Sequence, residues 1–215
     1  MNNFSLTFFF AAEIIGTVAF ALSGAMTGLK CKLDIFGVVF VAVVTALGGG
    51  CFRDLLLGRI PPAMFRDYRY LLVAVITALL TFLFAVFFKN LFLEYEERVS
   101  ALNNIFDAIG LGAFAVVGVK AGINTGYAHN GFFLVFLGVT TCIGGGIIRD
   151  LFVQRLPGVL HKHVYALPCI IGSAMYLIFY RLDVSDMIAI PVVTVFIFTM
   201  RMLATKYHWN LPKAW

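Results

Sequence analysis

The sequence has few charged residues for its length. Only 13% of its 215 residues are charged, whereas 61% are hydrophobic, and the mean hydropathy is +0.96. This composition lies far outside the range of water-soluble domains. It excludes a sizeable soluble domain and predicts a protein that functions within a lipid bilayer.

Motifs for catalysis, cofactors and metal ions are also missing. The four cysteines are widely spaced, with no C-x-x-C pair and no histidines at ligand spacing, so we interpret them as buried, reduced thiols. The sequence contains no nucleotide-binding glycine loop in a strand-turn-helix context, no activated nucleophile and no paired acid–base carboxylates. We therefore expect no enzyme activity, no cofactor and no metal site.

The formal net charge of +5 indicates membrane topology rather than a nucleic-acid partner, because the basic residues are scattered at the ends of apolar segments. With the N-terminus outside, the cytoplasmic connections and tail contain Lys30, Lys32, Lys89, Arg98, Arg155, Lys162, Lys206 and Lys213. The outer side keeps Arg59, Arg66, Arg69 and Arg181. This imbalance favours an inner-membrane protein with its N-terminus outside and its C-terminus in the cytoplasm.

Seven apolar segments are candidate membrane spans. The first contains Glu13 and has no basic residue before it, which argues against a cleaved signal peptide. The polar residues Glu94 to Arg98 form a short connection near the middle of the chain. The candidate spans cover residues 5–29, 35–57, 70–89, 101–122, 131–153, 164–181 and 186–205.

The two halves of the chain share a duplicated motif. The pattern G-G-G-x-x-R-D-L occurs at residues 48–55 and again at 144–151. Upstream, residues 20–24 match residues 114–118. The duplication predicts that the chain is built from two copies of one unit.

Each copy contains three candidate spans, an odd number, so the second copy must enter the membrane from the opposite side. We therefore predict an all-α integral membrane protein with seven transmembrane helices. Its units are a first three-helix repeat at residues 1–93, a second, inverted repeat at 94–182, and a seventh helix with a cytoplasmic tail at 183–215.

The glycine triplets are expected to lie inside the membrane. About 12 helical residues precede the first triplet, which places it about 18 Å into a core about 30 Å thick. Each glycine costs about 1 kcal/mol relative to alanine, so helices 2 and 5 are expected to break there. A break would face protein or a water-filled cavity and would mark the solute path. The predicted breaks are Gly48, Gly49 and Gly50 in helix 2, and Gly144, Gly145 and Gly146 in helix 5.

A second interpretation of the triplets is that they permit tight helix packing. Glycines spaced four residues apart are further candidates for close helix approach. They are Gly24, Gly28, Gly118 and Gly122.

Four charged residues follow the triplets within one helical turn, where an unpaired charge costs several kcal/mol. Inverted symmetry suggests reciprocal ion pairs, Arg53 with Asp150 and Arg149 with Asp54. Such pairs would either lock the two helices together or contact the permeant species. The residues alone do not separate these two roles.

Three further charges lie within the spans. Glu13 and its repeat counterpart Asp107 have no basic residue at helical spacing, so we expect them to attract a cation. Lys120 aligns with Met26 and breaks the symmetry. It is expected to act as a gate, to contact a lipid head group, or to extend its ammonium group to the membrane surface.

The two G-G-G-x-x-R-D motifs, within a 3+3+1 arrangement of spans, closely resemble the prokaryotic branch of the trimeric intracellular cation (TRIC) channel family. The resemblance covers nearly the whole chain. It implies a homotrimer among membrane lipids, with a pore in each subunit lined largely by helices 1, 2, 4 and 5, and it implies permeation of potassium and sodium.

Related bacterial sequences are also grouped as putative glycine transporters, so a carrier of a small zwitterion remains the alternative. In a carrier, half-helix N-termini would attract a carboxylate, while Glu13 or Asp107 would hold an ammonium group.

Overall fold

The structure is a computed structural model that describes residues 3–89, 94–161 and 164–212. Two residues of the topology prediction, Lys162 and Lys213, lie outside these ranges. The helices, in chain order, are α1 Asn3–Lys30, α2 Ile35–Leu56, α3 Ala63–Arg66, α4 Tyr68–Phe87, α5 Glu96–Gly122, α6 Gly131–Phe152, α7 Gly158–His161, α8 Ala166–Arg181 and α9 Asp186–Lys206.

Within the described residues, six helices are long and apolar enough to cross a membrane, namely α1, α2, α4, α5, α6 and α9. The remaining long helix, α8, has 16 residues and extends about 24 Å, somewhat less than a hydrocarbon core of about 30 Å. The seven long helices of the described chain overlap the seven segments predicted from hydropathy, whereas the four-residue helices α3 and α7 were not predicted.

The second helix of each repeat begins at an equivalent capping residue. The Asp34 side chain accepts a hydrogen bond from the Gly37 amide at the start of α2, and the Asn130 side chain accepts one from the Phe133 amide at the start of α6. Each cap satisfies an amide that has no partner within its helix. The sequence thus sets both helix starts at the same repeat position.

Helices α1 and α5 pack antiparallel in the centre of the molecule. Gly16 lies beside Phe114 and Gly110 lies beside Phe20, so residue numbers rise on one helix as they fall on the other. The two phenylalanine rings pack with their centroids 5.3 Å apart. Among the spans, α5 is the most buried and α4 the least, and α4 leaves a large apolar face exposed, as expected for contact with lipid.

The prediction that the glycine triplets break the two helices is wrong, because α2 and α6 continue through them. The two helices cross there. A Cβ atom on Gly49 would lie within 3.0 Å of the Thr141 carbonyl oxygen, and one on Gly145 would lie within 3.0 Å of the Thr45 carbonyl oxygen. Backbone contacts backbone at this crossing, which is antiparallel, so the packing interpretation of the triplets describes the structure.

The spaced glycines upstream of the triplets make similar close contacts. Gly24 on α1 packs against the backbone of Ala42 on α2, and its repeat counterpart Gly118 on α5 packs against Gly138 on α6. Within each repeat, the first helix therefore also approaches the backbone of the second at a glycine.

Candidate functional site

Two chambers containing charged residues flank the crossing of α2 and α6. The first chamber, with a volume of about 50 Å³, is bounded by α1, α2 and α4, and its polar lining includes Glu13, Arg53, Asp54 and Tyr70. The second chamber measures about 470 Å³, and its charged lining is Lys30, Asp107, Arg149, Asp150, Arg155 and Arg201. Because α2 and α6 cross antiparallel, their C-terminal ends place the two chambers on opposite sides of the crossing.

The arginine and aspartate of each motif pair within their own helix. Arg53 Nη2 lies 2.8 Å from Asp54 Oδ1, and Arg149 Nε lies 2.8 Å from Asp150 Oδ1. The predicted reciprocal pairs, Arg53 with Asp150 and Arg149 with Asp54, are therefore wrong. Their physical obstacle is the antiparallel crossing, which directs the two motifs to opposite ends of the helix pair.

The second oxygen of each motif aspartate holds a short helix in place. Asp54 Oδ2 accepts a hydrogen bond of 2.8 Å from the Ala63 amide, at the first residue of α3. Asp150 Oδ2 accepts an equivalent bond of 2.8 Å from the Gly158 amide, at the first residue of α7. The aspartate of each motif therefore holds the connection that follows its helix. Both oxygens of each buried carboxylate thereby have a hydrogen-bond partner.

In the second chamber, the ionic contacts extend to other helices. Arg149 Nη1 lies 2.9 Å from Asp107 Oδ1 on α5 and donates to Ser23 Oγ on α1 at 2.8 Å. The Tyr165 hydroxyl donates to Asp107 Oδ2 at 2.6 Å. Asp107 thus has a basic partner, which comes from a different helix and so could not be found by looking along α5.

The first chamber lacks this link. The Tyr70 hydroxyl donates to Glu13 Oε2 at 2.5 Å, but no ion pair joins Glu13 to Arg53 among the residues that the structure describes. The repeat counterpart of Ser23 is Val117, which has no hydroxyl group that could accept a hydrogen bond from Arg53. The two repeats therefore place the same residue types in the two chambers but connect them differently.

Several polar residues of the chambers were not identified as site residues from the sequence, among them Tyr70, Tyr165 and Arg201. Tyr70 and Tyr165 occupy matching places in the two repeats, and extending the repeat alignment past the G-G-G-x-x-R-D-L motif would have found them. Arg201 on α9 has its guanidinium carbon 4.2 Å from the centroid of the Tyr165 ring, and it donates to Asn104 Oδ1. The sequence feature that could have identified Arg201 is its position as the one arginine of an apolar helix. A charged side chain there is costly in a membrane unless it has a function or a partner.

Lys120 forms a separate buried ion pair away from both chambers. Its Nζ atom lies 2.7 Å from Asp186 Oδ2 at the start of α9, and the Tyr176 hydroxyl of α8 donates to the other oxygen of this carboxylate at 2.7 Å. The expectation that Lys120 reaches the membrane surface is wrong, because Asp186 offers an opposite charge within the protein. The pair fastens α9 to α5 and α8.

We expect Lys120→Met to lower the free energy of unfolding by about 3 kcal/mol, because it leaves the Asp186 carboxylate without its base in a site where the two side chains are only 9% and 14% exposed. Lys89→Met removes an exposed lysine and serves as the control. Thermal unfolding of the purified variants in detergent provides the measurement. Equal midpoints for the two variants would contradict a stabilising role for this ion pair.

Comparison with known proteins agrees with the duplication. A protein-family model described as a glycine transporter matches the chain twice, at residues 10–86 and at residues 104–181. Together the two matches cover more than half of the chain, and each contains one G-G-G-x-x-R-D-L motif. The chain belongs to this family of membrane proteins.

Relatives in the same family are named UPF0126 membrane proteins. The inner membrane protein YadS of Escherichia coli K12 is 35% identical over 206 residues, which cover 93% of each chain. A relative from Deinococcus radiodurans is 38% identical over 181 residues, which cover 80% of each chain. UPF0126 proteins from distant bacteria thus share nearly the full length of this chain.

Solved structures with the same fold are TRIC cation channels. One, described in terms of conductance through TRIC cation channels, superposes with a TM-score of 0.81 at 35% identity and covers 95% of this chain and 96% of its own. The trimeric channel orthologue of Rhodobacter sphaeroides gives a TM-score of 0.85 at 27% identity and covers 94% of this chain and 99% of its own. The resemblance to prokaryotic TRIC channels is confirmed.

Proposed function

We propose that this chain forms a monovalent-cation channel in the inner membrane, with a pore in each subunit of a homotrimer, and that potassium and sodium permeate it. The observation that supports the proposal most strongly is the pair of charged chambers on opposite sides of one glycine-lined helix crossing. Neighbouring structures that share the fold are TRIC cation channels. No reacting group is needed for this function.

In the proposed channel, ions pass from one chamber to the other beside the crossing of α2 and α6. A partly dehydrated cation needs oxygen atoms to replace its lost water. Carboxylate oxygens of the chambers and backbone carbonyl oxygens at the crossing supply them. Since the two backbones touch at Gly49 and Gly145, conduction requires a change in the way these helices pack.

The proposal includes the topology. We infer that α8 also crosses the membrane, which brings the number of crossings to seven, and that the N-terminus is outside and the C-terminus cytoplasmic. The first chamber then faces the exterior and the second faces the cytoplasm. The boundaries proposed for the two repeats and the C-terminal unit are residues 1–93, 94–182 and 183–215.

The alternative function is transport of a small zwitterion such as glycine. The matching family model carries that description, and the second chamber offers both acids and bases in about 470 Å³. An arginine there would bind the carboxylate of the zwitterion and an aspartate its ammonium group. A carrier would show saturable glycine uptake, whereas a channel would pass cations without glycine.

Gly50 provides a test with a matched control. It lines the first chamber, and the atom nearest to a Cβ placed on it is Arg53 Nη2 at 3.8 Å, so the position accepts a side chain. Gly50→Leu extends three carbons beyond that Cβ into a chamber of about 50 Å³, which has room for about one or two water molecules. We expect it to lower potassium flux into liposomes at least about tenfold, because the displaced water can no longer solvate an ion. Gly50→Ala is expected to keep most of the flux.

The measurement follows potassium-gradient-driven flux and labelled glycine uptake side by side, in liposomes made with wild-type protein and with both variants. Flux that persists in Gly50→Leu would exclude a pore through the first chamber. Saturable glycine uptake without a glycine-independent cation current would replace the channel by the carrier.

A further inference from the structure

The two chambers differ in the sign of their lining charge. The first is lined by two acids and one base, which gives a formal charge of −1. The second is lined by two acids and four bases, which gives +2. Two of those bases also bind polar neighbours, Lys30 at Ser100 and Arg201 at Asn104. Even if only the other two bases, Arg149 and Arg155, are counted, the formal charge of the second chamber is zero. The second chamber is then still less negative than the first.

The asymmetry arises from a few departures from the repeat. Arg59 and Arg155 are repeat counterparts, but Arg59 turns away from the first chamber and donates to Thr125 at 2.9 Å, whereas Arg155 lines the second chamber. Arg201 lies on α9, which has no counterpart in the first repeat. The scaffold is thus duplicated, while the electrostatic environment is not.

We propose that this charge difference makes the pore rectify, so that cations cross more readily from the first chamber to the second than in the opposite direction. The inference rests on the proposed channel function. Negative lining raises the local cation concentration at one entrance and positive lining lowers it at the other. A voltage that drives ions from the enriched side therefore carries more current than an equal voltage of opposite sign.

Arg155 is the best position for the test because it is exposed and takes part in no ion pair in the described part of the chain. We expect currents of single orientation in planar bilayers to differ at least about twofold between equal voltages of opposite sign, since one unit charge nearby changes an ion's local concentration by up to about fivefold. Arg155→Gln should bring the ratio closer to one, and Arg155→Glu should bring it closer still or invert it.

A second variant acts from the other side of the crossing. Glu13→Gln neutralises the first chamber and is expected to lower the ratio as well, although it lies in the opposite repeat. Arg98→Gln removes an exposed arginine that lines neither chamber, and it should leave the ratio unchanged. Gel filtration of each variant confirms that it is folded before its currents are compared.

Ionic strength provides an independent check. The screening length falls from about 10 Å at 0.1 M salt to about 3 Å at 1 M, so the ratio should approach one as potassium chloride is raised. Cation current with equal magnitudes at both voltages and low salt would overturn rectification and leave the channel intact. Absence of any cation current would overturn the channel itself. A ratio that Arg155→Glu and Glu13→Gln both fail to change would show that the lining charges do not cause rectification.

Discussion

Alanine at Gly49 is expected to destabilise the protein strongly, and alanine at Gly145 is expected to do the same. In each case the added Cβ atom would lie within 3.0 Å of a backbone carbonyl oxygen on the facing helix. A backbone atom cannot move aside as the end of a flexible side chain can, so α2 and α6 must separate. Overpacking costs typically about 1–3 kcal/mol, and we expect at least the upper end here, a large part of a total stability of about 5–15 kcal/mol.

Gly50→Ala is the matched control for this prediction, because it adds the same methyl group to the same triplet and helix. In the described part of the chain, and apart from the backbone of its own helix, only Arg53 Nη2 lies within 4 Å of that methyl position. Thermal unfolding and yield of folded protein in detergent measure the difference. If Gly49→Ala and Gly50→Ala gave equal midpoints, the helices would not be in backbone contact at the triplets, and the broken-helix prediction would regain support.

Replacement of Arg149 by methionine is expected to destabilise the protein by about 3–5 kcal/mol. Arg149 is 5% exposed and is the base that contacts both Asp107 and Asp150. Its removal leaves two carboxylates in a buried site without that base, which is the costly way to break an ion pair. Methionine keeps much of the side-chain volume, so lost packing contributes little.

Arg155→Met is the control for this second prediction, since it removes an arginine six residues further along that is exposed and unpaired in the described part of the chain. The double variant Arg149→Met with Asp107→Asn should recover part of the lost stability, because it removes one of the two carboxylates left without a base. Unfolding midpoints of the four proteins give the measurement. A double variant less stable than Arg149→Met would show that Asp107 contributes mainly through Tyr165 and not through the ion pair.

Hydropathy and repetition were enough to predict the long helices. Seven apolar segments became seven long helices, because each needs only local backbone hydrogen bonds and an apolar surface to form in lipid. The repeat alignment paired Glu13 with Asp107 and Arg53 with Arg149, and the structure places one member of each pair in each chamber. The long helices and the pairs of repeat counterparts depend only on the spacing of residues along the sequence, and this spacing is known from the sequence itself.

The contacts between helices were harder to predict. Glycine is a poor helix former in water, and this suggested breaks at the triplets, but close packing against Thr141 and Thr45 outweighs the intrinsic cost. The partners of Arg149 depend on where α1, α5 and α6 meet, and no spacing rule along a single helix encodes that meeting point. Arg201 was missed for a related reason, since the repeat argument does not extend to α9.

The stacked pair Phe20 and Phe114 has a consequence for the history of the chain. These repeat counterparts pack against each other, so their contact lies on the symmetry axis that relates one repeat to the other. In an ancestor made of two identical three-helix subunits, one phenylalanine would have packed against its own copy. A change there would have altered both sides of the contact at once, whereas positions away from the contact, such as Ser23 and Val117, could differ once both copies stood in one chain. Away from that contact the symmetry is not exact, and the two ends of the molecule carry different side chains.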